Sequence, residues 1–256
     1  LASEAGVGLA VSGGPDSLAL MLLVKRWADM LATPPKLVVY SLDHGLRPEA
    51  ADEVVMVGEE AQRLGLNFRG LKWADEHPET GIQEAARQAR YRLIGEAMAE
   101  EGISLLVTAH HRADQAETIL MRLAHGSGLD GLKGMVRLAE VEGVRVFRPL
   151  LDVEPAALVA IVDEAGLTAV HDPSNDDEDY ERIRWRRLLP ALAKEGLDGA
   201  SLTRFAARMA EADAALSNLA DAAFAELVGF DGFGAATLPL AALSQLGPAT
   251  GRRVLS

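Results

Sequence analysis

The segment Ser12–Ser17 reads SGGPDS. Gly13 and Gly14 lack Cβ atoms, so their backbone can turn sharply and approach a ligand closely. Pro15 suits the first turn of a following helix, where its missing N–H is no loss. Successive N–H groups at a helix N-terminus form a cradle for an anion, and Ser12 and Ser17 add hydroxyl donors beside it. The natural ligand of such a loop is a phosphate or pyrophosphate; the plain structural alternative is a tight turn with a capping serine. No Gly-Lys-Ser/Thr is present, so this is not a Walker A loop. A pyrophosphate grip without that lysine suits cleavage between the α- and β-phosphates, giving AMP and pyrophosphate, better than γ-phosphoryl transfer.

Four other segments carry chemistry. LDHGLR puts Asp43 and His44 after a strand, and open α/β sheets bind ligands at the carboxyl ends of their strands. EAARQARY, Glu84–Tyr91, sets Arg87 and Tyr91 on one helix face with Arg90 beside them. In AHHRADQAET, Ala109–Thr118, Asp114 and Glu117 share one face of a helix start. Adjacent His110 and His111 at a strand end point opposite ways and make a poor joint metal site. RIRWRR gathers Arg182, Arg184, Arg186 and Arg187 around Trp185. It is the best local phosphate-binding patch, unless the arginines pair with Asp176, Asp177, Glu178 and Asp179 and the indole packs inward.

The elements that must position these groups alternate between short apolar runs and helical-period stretches, which predicts a parallel α/β sheet. Strands are expected at Val7–Val11, Lys36–Leu42, Asn67–Leu71, Ser104–Ala109 and Val144–Phe147. Helices are expected over Leu18–Leu31, Ala50–Leu64, Gly81–Glu101 and Asp114–Ala124, with another opened by Pro155. A boundary is read near Leu189-Pro190, giving a catalytic domain over 1–190 and a small helical appendage over 191–256, with helix spacing at Ser201–Leu227. The chain has 256 residues, enough for a full core without staples. It has no cysteine, which excludes disulfides, thiolate metal sites and cysteine nucleophiles. No apolar run reaches membrane-spanning length and no signal peptide opens the chain, so the expected compartment is the cytoplasm. Starting at Leu1 without Met, it reads as a trimmed piece of something longer. The net charge of −13 argues against nonspecific nucleic-acid binding but leaves room for a local basic patch.

SGGPDS after an N-terminal strand resembles the signature of the N-type ATP pyrophosphatases. Together with DHGLRPEA, EAARQARY, HHRADQAET, the GSG and GLKGM run over Gly126–Met135, RPLL at Arg148–Leu151 and DPSN at Asp172–Asn175, it resembles the tRNA(Ile)-lysidine synthetase family. The resemblance runs from about Val7 to Pro190. It implies a five-stranded, doubly wound parallel sheet of the adenine nucleotide alpha-hydrolase type, followed by a helical tRNA-binding domain. It implies ligation of L-lysine to the wobble cytidine of isoleucine tRNA with a CAU anticodon, using ATP and Mg²⁺ and passing through an adenylated cytidine.

On that resemblance, Ser12, Gly13, Gly14, Pro15, Asp16, Ser17, Asp43 and His44 bind ATP. Asp16 also holds Mg²⁺, unless it serves as a helix N-cap. His111 contacts nucleotide or substrate. Asp114 and Glu117 hold the lysine or a metal, unless they are only a favourable acidic first turn. Arg182, Arg184, Trp185, Arg186 and Arg187 meet the tRNA, and a homodimer is one way for an acidic chain to span its RNA. The sequence departs from the family at Ala113, where a second acid is usual, at His125, where Arg is usual, and at Ile183, where Asn is usual. Two other readings stay open: a small-molecule amide- or amine-forming ATP pyrophosphatase of the GMP- or NAD-synthetase kind, and a nonenzymatic adenine-nucleotide-binding module.

Overall fold

A computed structural model describes residues 1–75, 77–78, 80–170 and 179–255. The DPSN motif and most of the acidic stretch after it lie outside the described residues. The chain order is β1 (Gly6–Ala10), α1 (Pro15–Asp29), β2 (Lys36–Asp43), α2 (Ala50–Arg63), β3 (Asn67–Lys72), α3 (Ile82–Glu100), β4 (Leu105–Val107) and α4 (Arg112–Ala124). Then come α5 (Leu129–Leu132), β5 (Leu138–Val141), β6 (Val144–Phe147), α6 (Pro155–Glu164), α7 (Glu181–Lys194) and α8 (Gly199–Leu227). A hairpin of β7 (Gly229–Phe230) and β8 (Ala236–Thr237) precedes α9 (Leu240–Gln245) and α10 (Pro248–Val254).

The main sheet has the order β3-β2-β1-β4-β6-β5. The five expected strands are all present and all parallel, with Leu9 opposite Val39, Gly8 opposite Leu106 and Val107 opposite Phe147. The expected count of five is corrected to six by β5, which pairs antiparallel with β6 at the edge. Its sequence, LAEV, is short and alternates exposed with half-buried residues, so it lacks the continuous apolar run of the central strands. The turn joining it to β6 is Glu142-Gly143, both at positive φ, as a two-residue type I′ hairpin requires.

Strand alternation sorts the core into two layers. Val7, Leu9, Val39 and Val107 face α1, α2 and α6, where Leu18, Met21, Val57 and Leu158 close over them. Val38, Tyr40, Leu106, Val144 and Val146 face α3 and its Tyr91, Ile94 and Ala97. Helices therefore cover both faces, and the carboxyl ends of β1, β2, β4 and β6 open onto one edge. Helix α8 begins at Asp198, whose carboxylate caps the Ser201 N–H at 2.6 Å. Its Leu202 and Ala206 join Ala116, Ile119 and Leu120 of α4, with Trp185 and Leu189 of α7, in a third cluster. Pro190, at the expected boundary, lies inside α7, so that helix runs through the position read as a junction.

Candidate active site

The glycine loop leaves β1 at the carboxyl edge of the sheet and delivers the chain into α1. Gly13 sits at φ 89°, and a Cβ there would meet Met56 Cε at 3.0 Å and Val170 Cγ2 at 3.2 Å. Val170 also donates its N–H to the Gly13 carbonyl at 2.9 Å, so the extended piece expected near Thr168–Val170 braces the loop from below. A Cβ on Gly14 would meet nothing within 4 Å, which leaves that side open to a ligand. Gly14 is the N-cap, with Pro15 in the first turn as the sequence suggests. Asp16 falls one residue further on and is therefore not the cap. Ser17 is buried and knits the loop internally: its hydroxyl donates to the Gly14 carbonyl at 2.9 Å and accepts from the Ser12 N–H at 3.2 Å. Asp43 ends β2 and His44 follows it on the same edge, where their side chains accept the N–H groups of Gly45 and Leu46 and fix the turn.

The second half of the site starts at His111, which lies four residues beyond the end of β4 and caps α4. Its N–H donates to Asp114 Oδ2 at 2.9 Å and its Nδ1 accepts from the Asp114 N–H, a reciprocal capping box. With Nδ1 accepting, the neutral ring carries its proton on Nε2, and Nε2 lies 3.4 Å from Asp16 Oδ2. His111 is thus the contact between the glycine loop and α4. Burial opposes its charge, but Asp16, Asp114 and Glu117 outweigh that and raise its pKa. His110 turns to the other face and bonds Thr108 Oγ1 through Nδ1 at 2.8 Å. Burial, helped by Arg148, Arg182 and Arg90, lowers its pKa to about 4, so it is neutral at pH 7.

One turn along α4 the acid pair meets α7. Glu117 is fully buried; one oxygen accepts Arg182 Nε at 2.5 Å and the other accepts Arg186 Nε at 2.7 Å. Arg182 Nη2 also reaches Asp114 Oδ1 at 2.7 Å. Burial alone would raise the pKa of Asp114; Arg182, His111 and the capping N–H hold it below the usual carboxylate range. The arginine cluster divides accordingly. Arg182 and Arg186 reach back to the acid pair while staying part-exposed, Arg184 and Arg187 are exposed, and Trp185 packs between α4 and α8. Neither the simple solvent-facing patch nor pairing confined to the adjacent acidic stretch describes this arrangement. His125, where the family usually carries Arg, bonds Glu181 at the start of α7, and Ile183 is buried.

The loop after α4 is fixed by two side chains of that helix, Gln115 and Arg122. The Gln115 amide exchanges two hydrogen bonds with the backbone of Met135, at 2.7 and 2.8 Å, and Arg122 Nη1 donates to the carbonyls of Gly131 and Gly134. Gly134 is at φ 69°, and a Cβ there would collide with the Gln115 amide at 2.7 Å. Lys133 reaches Asp213 of α8 at 2.8 Å, and the same carboxylate takes Arg253 of α10.

Residues 2–192 match the model of a family described as the PP-loop domain. A tRNA(Ile)-lysidine synthase from a Methylobacterium species is 45% identical over 98% of this chain and 72% of its own length. The chain belongs to the tRNA(Ile)-lysidine synthase family of PP-loop proteins. Relatives of the same description from Rhodopseudomonas palustris and Bradyrhizobium diazoefficiens are each 52% identical over 87% of this chain. The chain spans 64% and 62% of their lengths, about three fifths of the curated relatives it matches. In three dimensions it is similar to the U34-tRNA thiolase NcsA from Methanococcus maripaludis with its 4Fe-4S cluster. The TM-score is 0.69 at 17% identity, over 81% of this chain and 73% of that one, a likeness of fold. Ser12–Ser17 lies within the matched residues, and the Asp16–His111 contact ties it to the HHRADQAET helix.

Proposed function

We propose that this chain joins L-lysine to the wobble cytidine of isoleucine tRNA bearing a CAU anticodon, in the cytoplasm, converting ATP to AMP and pyrophosphate. The observation that carries the reading is the continuous line from the glycine loop through Asp16, His111 and Asp114 to Arg182 of α7. It joins a phosphate cradle to α7, which carries four arginines within residues 182–187. In a chain of net charge −13, such a local concentration of cations is what a polyanion would seek.

Chemically, the ring carbonyl oxygen of cytosine attacks the α-phosphorus of ATP and the bond to the β-phosphate oxygen breaks. The resulting adenylate makes that oxygen a good leaving group. A neutral lysine ε-amine then adds to the ring carbon, AMP departs, and a proton leaves the nitrogen. The chain's part is to hold the departing pyrophosphate on the N–H groups of the glycine loop and the N-terminus of α1. Asp16 would hold Mg²⁺. It is a single carboxylate beside the loop, and no group of three metal-ligating side chains occurs among the described residues. That fits an ion bound by one carboxylate, phosphate oxygens and water. When bound, the ion offsets charge on the phosphate oxygens.

His111 keeps Asp16 oriented toward the loop. Asp114 and Glu117 anchor α7, and for either to take the lysine ammonium a guanidinium must leave it. Arg184 and Arg187 make the RNA-facing side of α7, with Trp185 packed behind them between α4 and α8.

The test is to incubate the protein with ATP, Mg²⁺ and labelled L-lysine, with and without isoleucine tRNA bearing CAU. AMP and pyrophosphate formed only with that tRNA, and label entering the RNA, are expected. ADP as product would overturn the reading, and AMP formed without RNA would favour a small-molecule acceptor.

A further inference from the structure

The order of strands sets the order of groups along the carboxyl edge of the sheet. Asp43 and His44 stand at the end of β2, the glycine loop follows β1, His110 and His111 follow β4, and Arg148 follows β6. The groups expected to take ATP therefore occupy the β2–β1 end of this row. At the β4–β6 end the chain returns from α4 toward β5, and Gly134, Met135 and Val136 pass along the edge as a strap.

Side chains hold that strap at three successive residues. Arg122 of α4 donates to the Gly134 carbonyl at 2.8 Å. Gln115 of α4 takes both polar groups of Met135: its Oε1 accepts the N–H at 2.7 Å and its Nε2 donates to the carbonyl at 2.8 Å. Arg148 donates to the Val136 carbonyl at 2.9 Å. The strap thus joins α4 to the end of β6. Gln115 is buried, directly follows Asp114, and leaves no space for a side chain at position 134. An amide is the group that fits there. A carboxylate could not donate to the Met135 carbonyl, and an apolar side chain would leave both backbone groups unpaired.

The strap is apolar where its surroundings are polar. Val136 is 40% exposed and Met135 is half-buried. On the adjoining strand ends stand Thr108, His110 and Arg148; the Thr108 N–H donates to the Phe147 carbonyl at 3.0 Å, which sets Thr108 beside Arg148. A fixed apolar surface next to a few polar groups is the setting of a site for a flat, uncharged ring. We propose that Gln115 is a positioning residue: it holds the strap so that Val136 walls the crevice on the side of the nucleobase that accepts the adenylyl group. The identity of that nucleobase, the wobble cytidine, rests on the proposed reaction. The place of the wall beyond β4, away from the glycine loop, assigns it to the acceptor and not to ATP.

The test uses the full chain, Val136→Ala and Gln115→Met. Val136→Ala shortens an exposed side chain and keeps every backbone hydrogen bond, so it should melt within about 2 °C of the wild type. Gln115→Met should melt lower. α,β-Methylene-ATP should raise Tm equally in all three. With that analogue saturating, two anticodon stem-loop RNAs are titrated, one bearing CAU and one abasic at the wobble position. The wild type should prefer the CAU loop. In Val136→Ala the CAU loop should bind about fivefold more weakly, the loss expected for two methyl carbons in contact with a ring, while the abasic loop binds as before. Gln115→Met should lose the preference too, and adding Val136→Ala to it should cost little more, since both act through one wall. In the ligation assay the KM for RNA should rise by a similar factor with the KM for ATP unchanged.

A wild type that binds the two loops alike, a Val136→Ala protein that keeps the full preference, or a Gln115→Met protein that melts lower yet still discriminates overturns the proposal. If labelled lysine enters no RNA with the wild type, the reaction reading fails while the stem-loop comparison still decides the wall. Lysine joining RNA with the same KM in all three proteins leaves the reaction standing and removes the wall.

Discussion

Glu117→Gln is the sharpest probe of the α4–α7 junction. The carboxylate is fully buried and both its oxygens bind guanidinium Nε atoms, at 2.5 and 2.7 Å. Removing one partner from a buried ion pair costs about 3–5 kcal/mol, because a charge is left uncompensated. Here the two arginine side chains remain 41% and 43% exposed, so water screens part of the loss. The glutamine oxygen also still accepts one hydrogen bond. The expected cost is therefore at the low end, about 3 kcal/mol. At roughly 2–4 °C per kcal/mol for a chain of this size, Tm should fall by about 6–12 °C. Thermal unfolding followed by circular dichroism at pH 7.5 measures it. Arg186→Met in the Glu117→Gln background removes one of the two unbalanced cations, so the double variant should melt above the sum of the two single losses. A single variant melting within 2 °C of the wild type, or strict additivity in the double, would refute the view that this cluster holds α7 in place.

Gly13→Ala places a Cβ at positive φ against Met56 and Val170; a cost of about 1–3 kcal/mol and loss of the Tm rise given by an ATP analogue are expected, and an unchanged rise would show that the loop does not need this conformation. His110 has a folded pKa of about 4 against an ordinary 6.5, so the folded state binds fewer protons between those values and stability falls as pH drops from about 6.5 to 4. His110→Gln should flatten that limb in urea titrations, and an identical pH profile would count against it. His111 has the opposite sign: its raised pKa contributes stability that is full below 6.5 and is lost as pH rises through the folded value. Asp213→Ala breaks the tie of α8 to Lys133 and Arg253 and should speed limited proteolysis between α8 and α10; an unchanged digestion rate would leave that carboxylate without a tethering role.

The central strands and the glycine loop were legible because their signals are local. VGLAV and KLVVYSL are apolar runs bounded by turn residues, and SGGPDS sits where a strand must hand over to a helix. The β5 edge strand was not legible, since a four-residue strand that is half exposed lacks a burial pattern and its Glu142 occupies a conformation sequence rarely announces. The helix face shared by Asp114 and Glu117 was readable, but their partners were not. Arg182 and Arg186 are separated from them by about 70 residues of chain, and local pattern carries no information on which charges meet across such a span. Arg148 is an intermediate case. Its place two residues beyond Val146 fixes its side of the sheet, yet that it would be buried there and donate to the Val136 carbonyl emerges only from the tertiary fold.

Helix α4 touches the nucleotide loop through its cap and the appended helices through its next turn. Asp16, Asp114 and Arg186 thereby become neighbours in energy although they belong to three distant stretches of the polypeptide. Genetic changes along this axle will show epistasis, with the damage from one substitution set by which residue stands at the others. Surveys that alter a single position at a time will therefore misjudge how much each of them matters.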